Sequence, residues 1–181
     1  MKKIIIIITA LFITIASRAQ VTKVSLQASG LTCSMCSNAI NKSLKTLDFT
    51  DKVEANIKNS SFDIFFKPGA AVDFDMIKKK VEDAGFFVAS FQATLHFDNV
   101  SVANDTHVES NGKLFHFLNT KDRVVNGDIT VKLLDKGFVT SKLFKQNAKY
   151  TLKECYKSGT TAACCEKQGL KQGTRIYHVT I

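Results

Sequence analysis

Two apolar stripes of identical spacing dominate the first half of the chain: Ile40, Leu44 and Leu47 recur at i, i+4 and i+7, and Ile77, Val81 and Ala84 repeat that spacing 37 residues later. Each stripe puts one apolar face on a helix, predicted at about residues 36–47 and again after Asp73, a capping residue, up to Gly85, a stop. Around the stripes the pattern changes to period two. Residues 21–28 alternate as Val-Thr-Lys-Val-Ser-Leu-Gln-Ala, 52–58 alternate through Val53, Ala55 and Ile57, and 62–67 through Phe62, Ile64 and Phe66. These are strands, with Asn59-Ser60 and Pro68-Gly69 as turns and residues 86–91 as a last strand. Strand-helix-strand written twice constrains residues 20–92 to a split βαβ, ferredoxin-like βαββαβ sandwich.

The residues before this unit read differently. Lys2 and Lys3 precede an apolar stretch over 4–16 that ends in Ser17-Arg18-Ala19. This is the pattern of a secretory signal over 1–19, cut before Gln20, and it predicts a periplasmic or secreted protein. An uncleaved anchor, the competing reading, also places the remainder outside the cytoplasm. No apolar run reaches the roughly 20 residues of a bilayer span, which excludes a multi-span transporter and predicts no transmembrane span in the mature chain. One proline and nine glycines in 181 residues, 45% of them hydrophobic, exclude a disordered or collagenous chain.

Near residue 93 the composition shifts. Residues 20–92 carry nine Lys against eight acidic side chains, whereas 93–181 carry thirteen basic against eight acidic, together with all four histidines and three of the five cysteines. Alternation at 94–97, 113–117, 128–133, 150–153 and 174–181 predicts a small all-β domain over 93–181, with a short helix at 141–147. Its strand number suits an OB-like barrel, which gives an α+β chain overall. The basic residues are scattered among acidic neighbours without interleaved aromatics, so nucleic acid is not an expected partner.

Chemistry is expected in the loop before the first helix, Gly30-Leu31-Thr32-Cys33-Ser34-Met35-Cys36. Two thiols three residues apart at a helix start converge on one soft ion, and the positive end of the helix dipole favours their thiolate form. Two sulfurs satisfy Cu(I), Ag(I) or Hg(II), which accept near-linear coordination, whereas Zn(II) wants four ligands. Gly30 permits the bend, and Thr32 can hydrogen-bond a nearby N–H. Met35 is expected to fold back on the core rather than act as a third ligand. The same C-x-x-C pair also serves disulfide exchange or forms a plain structural disulfide. Thioredoxin-like chemistry wants a cis-proline facing the pair, and the sole proline, Pro68, reads as a turn.

This loop resembles the heavy-metal-associated domain family. Gly30 to Cys36 matches its G-M-T-C-x-x-C pattern with Leu31 in the methionine place, and Gly85-Phe86 matches its glycine-aromatic step. The resemblance covers about residues 21–92. It implies metal binding through Cys33 and Cys36 with Phe86 close to the ion, and the packing of the loop altered by Leu31. Members include copper chaperones, the N-terminal modules of copper-transporting ATPases and an exported mercury-binding protein.

Cys155, Cys164 and Cys165 leave two readings open: a disulfide from Cys155 to Cys164 or Cys165, or a second soft-metal site. His116 and His178 alternate with hydrophobic neighbours and read as half-buried structural histidines. The expected function is that of an exported soft-metal chaperone or scavenger, most simply for Cu(I), with no bond-making reaction. Its partner would be a metal donor or acceptor, such as a copper-transporting ATPase or an efflux component. An extracytoplasmic thiol-disulfide oxidoreductase is the enzymatic alternative. A mercury-binding protein, or a β-domain interaction protein with a metal-sensing module, is the other.

Overall fold

In the computed structural model, residues 21–31, 34–110, 112–166 and 169–181 are described. The signal-like segment lies outside them, as do Thr32 and Cys33.

The repeated unit forms as its pattern requires: β1 (Val21–Ser29), α1 (Ser34–Lys45), β2 (Thr50–Asn56), β3 (Ser61–Phe66), α2 (Phe74–Asp83) and β4 (Phe87–Val102). Ile40 and Leu44 of α1 and Phe74, Ile77 and Val81 of α2 are fully buried, so both stripes face the sheet. The Asp73 side chain accepts a hydrogen bond from the Met76 N–H at 3.1 Å, which satisfies one of the free donors at the start of α2. The other end closes in a Schellman arrangement, with Phe86 N–H donating to Val81 O and Gly85 N–H to Glu82 O while Gly85 takes φ +88°. Strand order β2-β3-β1-β4, with every neighbour antiparallel, is that of the ferredoxin-like sandwich.

The rest of the chain does not fold as the separate barrel its strand number allowed. β4 is 16 residues long and runs straight across residues 92 and 93. Its far edge pairs with β7 (Arg123–Leu133), and β8 (Ile176–Thr180), β6 (Lys113–Phe117) and β5 (Thr106–Ser110) follow. One open eight-stranded sheet results, with β2 and β5 at its edges. Burial explains the continuity: Phe91 of β4 stacks edge-on with Phe74 of α2 at 5.4 Å and with Phe138 at 5.1 Å. Tyr177 of β8 reaches the same Phe74 at 5.1 Å, so α2 covers both halves. A polar bridge reinforces this, with Arg175 donating to Asp75 of α2 and to Asp135, and Tyr177 O–H donating to Asp75 at 3.0 Å.

Other expectations shift locally. Residues 150–153, expected as a strand, enter from a 3-10 turn at Ala148–Tyr150 and form no ladder. The helix expected at 141–147 is α3 (Ser141–Asn147), capped by Thr140. Two single-turn helices, α4 (Cys155–Ser158) and α5 (Ala163–Glu166), follow it. No described helix is long and apolar enough to cross a membrane.

Candidate metal centres

The first candidate centre sits where β1 hands over to α1. Cys36 occupies the first turn of α1, a 12-residue helix whose last turn carries Lys42 and Lys45, so charge on the helix complements its dipole at the far end. Cys33 and Thr32 fall outside the described residues. Gly30 takes φ +84°, a backbone conformation that side chains rarely adopt, and a Cβ there would stand 4.0 Å from Phe86 Cδ1. The Phe86 ring therefore lies against the loop entrance, held by the closed C-terminal end of α2. Leu31 is partly buried and packs against the main core.

Met35 departs from expectation. It is 81% exposed instead of folding back, and Phe87, one residue past Phe86, is 70% exposed. The Ser29 hydroxyl donates to Phe87 O at 3.3 Å, so the start of β4 sets the exposed Phe87 beside the end of β1 that leads into the loop.

The second group of sulfur and nitrogen atoms was half legible in the sequence. Cys155 and Cys165 are both buried, whereas the side chain of Cys164 lies outside the described ones. Sheet register supplies what sequence reasoning missed: His107 of β5 stands opposite His116 of β6, and His116 opposite His178 of β8. Three imidazoles thus form one rung across three adjacent strands. On β6 and β8 the residues in between, Phe115, Phe117, Tyr177 and Val179, join the main core on the opposite face. Leu114 and Ile176 share the histidine face and pack with Cys155 and Cys165. Both faces of these strands are covered, which is why His116 and His178 are fully buried rather than half-buried.

Within the rung, Cys155 Sγ lies 3.9 Å from His107 Nε2 and 3.8 Å from His116 Nδ1, and Cys165 Sγ lies 3.8 Å from His107 Nε2. His116 Nε2 is 2.9 Å from Asp105 Oδ1, and His178 Nδ1 is 2.9 Å from Asp135 Oδ1. Each carboxylate accepts a hydrogen bond from one ring nitrogen and so leaves the other as a lone pair. Burial, with His178 and His107 close by, pushes His116 down to about 3 against the pull of Asp105, so its ring is neutral at neutral pH. His178 Nε2 is buried without a hydrogen-bond partner among the described residues.

Comparison with known proteins bears on the first centre. Residues 25–87 match the family described as heavy-metal-associated domain. A probable copper-exporting P-type ATPase of Archaeoglobus fulgidus is 29% identical over 84 residues, which are 46% of this chain and 10% of that protein. The chain thus spans about a tenth of the length of the curated relative it matches. Among solved structures, the yeast copper transporter domain CCC2A, studied in apo and Cu(I) loaded states, is 32% identical over 36% of this chain and 88% of its own, with a TM-score of 0.33. A copper binding domain from HMA7, a P-type ATPase, is 29% identical over 36% and 86%, with a TM-score of 0.33. Oxidized MerP from Ralstonia metallidurans CH34 is 23% identical over 38% and 94%, with a TM-score of 0.35.

Proposed function

We propose that this protein binds one soft ion, Cu(I) in the first instance, between Cys33 and Cys36 and passes it to a partner outside the cytoplasm. The observation that carries the reading is the match of residues 25–87 to the heavy-metal-associated domain; Gly30 at a positive φ beside Phe86, and Cys36 in the first turn of α1, support it. Two thiolates suit a two-coordinate d10 ion, and Ag(I) or Hg(II) would satisfy the same pair. The ion is cargo.

Transfer proceeds by ligand exchange. A thiolate of the partner attacks the two-coordinate ion, three sulfurs share it, and one of Cys33 or Cys36 leaves; a second exchange completes the move. Each step makes one metal–sulfur bond and breaks one, with no electron transferred. The exposure of Met35 and Phe87 beside the loop supports a docking rim, because apolar groups at the point of approach exclude water while the sulfurs change places. A copper-transporting ATPase or an efflux component is the partner class this chemistry suits. No bond-making reaction on an organic substrate is proposed, and residues 1–19 read as the export signal that would place the exchange in the periplasm or beyond.

The test uses the full chain without its first 19 residues, reduced and anaerobic, with Cys155→Ser, Cys164→Ser and Cys165→Ser installed so that only the loop thiols report. Titration against a competing chelator should find one Cu(I) held far more tightly than Zn(II), and Cys33→Ser or Cys36→Ser should each abolish it. Equal affinity for zinc, or binding that survives both substitutions, would sink the proposal. Catalytic turnover of a model disulfide by the reduced chain would instead favour the oxidoreductase.

A further inference from the structure

The cysteine–histidine cluster on the buried face of β5, β6 and β8 has no part in the loop chemistry, and we infer that Cys155, Cys165, His107 and His116 form a second metal site that holds one Zn(II). Donor type selects the ion. Two sulfurs and two imidazole nitrogens are the S2N2 set of a closed, four-coordinate zinc centre, whereas the loop offers sulfur alone.

Distance supports the assignment. Zn–S bonds of about 2.3 Å and Zn–N bonds of about 2.0 Å at tetrahedral angles subtend an S···N edge of about 3.5 Å. Cys155 lies 3.9 and 3.8 Å from the two imidazoles and Cys165 lies 3.8 Å from His107, so along these three edges an ion would draw the groups together by only a few tenths of an ångström, while Cys165 has further to close on the other two ligands. The donor atoms of His107, His116 and Cys155 all lie within 4.8 Å of one another.

The surroundings are those of a ligand set. His116 donates its Nε2–H to Asp105 and turns Nδ1 toward Cys155, the carboxylate–histidine–metal relay that fixes tautomer and ring direction. Asp105 is steadied in turn by Lys153, whose ammonium lies 3.4 Å from Oδ2. Leu114, Ile176 and Leu170 supply an apolar wall. His107 is half-buried and gives the ion a way in from solvent. Binding displaces one proton from each of two thiols, so two protons leave per ion and no oxidant or reductant takes part.

The experiment is run on the full chain carrying Cys33→Ser and Cys36→Ser, which silences the loop and makes its outcome independent of the copper proposal. Zinc titration of the reduced protein against a chromogenic chelator should show one equivalent bound. Co(II) in its place should give the intense visible bands of a tetrahedral thiolate complex, a readout that needs no change to the cluster. Cys155→Ser or Cys165→Ser should remove stoichiometric binding, and Asp105→Asn should weaken it by about 10- to 100-fold while leaving every ligand in place. Three results would overturn the inference: a chain that binds no zinc, a pale octahedral cobalt spectrum, or peptide mapping that finds Cys155 or Cys165 in a disulfide in protein kept with zinc from cell lysis onward.

Discussion

The β1–α1 loop and the β5–β6–β8 rung both bring cysteines together, but they do so in opposite surroundings. At the loop, Cys36 lies in the first turn of a helix next to exposed Met35, and the other cysteine of the pair is three residues away in sequence. On the rung, Cys155 and Cys165 are buried on a covered sheet face, and the histidines they approach come from strands 39 to 58 residues distant in sequence. The loop is suited to an ion that must leave, because few ligands and an open approach let another thiolate in. The rung is suited to an ion that stays, because four donors from separate elements must part before it can go. In the two proposals, local sequence spacing would make an exchange site and tertiary packing a holding site.

If the two sites differ in this way, cysteine substitutions should separate them completely. Cys36→Ser should abolish Cu(I) retention at the loop and leave zinc stoichiometry at one, whereas Cys165→Ser should do the reverse; metal analysis of the two variants after loading with both ions checks this. Loss of both ions in either variant would mean that the sites are not separate.

The next largest effect concerns the core that joins the two regions. Phe74→Ala removes a ring that touches Phe91 in the first half and Tyr177 in the second, and should cost about 3–5 kcal/mol. Denaturant unfolding followed by probes in each half should remain one coincident transition, moved to lower denaturant. Two separated transitions in the parent protein would show that the halves are independent and would break the premise of a shared sheet.

A smaller effect is expected at the polar bridge. Burial opposes the charge on Asp75, yet hydrogen bonds and charge from Arg175, helped by Tyr177, hold its carboxyl below the usual range. A depressed folded value means that this contribution is present above the unfolded value near 3.9 and is lost as pH falls through the folded one. Asp75→Asn should therefore lower stability by about 1–2 kcal/mol at pH 7 and make the acid limb of the stability curve shallower, measured by urea midpoints between pH 7 and pH 2.

The smallest effect sharpens the loop side. Gly85→Ala forces a side chain into φ +88°, with nothing within 4 Å to clash, so the cost is backbone strain of about 1–2 kcal/mol. Because the Phe86 ring is set by that helix end, Cu(I) affinity should fall slightly in this variant while zinc binding on the rung is unchanged, read in the same chelator competition.

What the sequence determined by itself was whatever depends on neighbours a few residues away. The stripes at Ile40 and Ile77, the Asp73 cap and the Gly85 stop each state their structure locally, and the sandwich arises because four strands and two helices in that order have one common way to cover an apolar face. The two-thiol loop stands out for the same reason: Cys33 and Cys36 are three residues apart in sequence. The tertiary structure alone decided the second half. Its alternating runs predicted strands but not partners, and β4 has hydrogen-bonding groups on both edges, so the chain extended the existing sheet through β7 and gained the shared Phe74, Phe91, Phe138 and Tyr177 core. His107, His116 and His178 became a rung only through pairing register, antiparallel on one side of β6 and parallel on the other. A shift of one residue in either pairing would have turned a histidine to the opposite face, and no local pattern in the sequence records that choice.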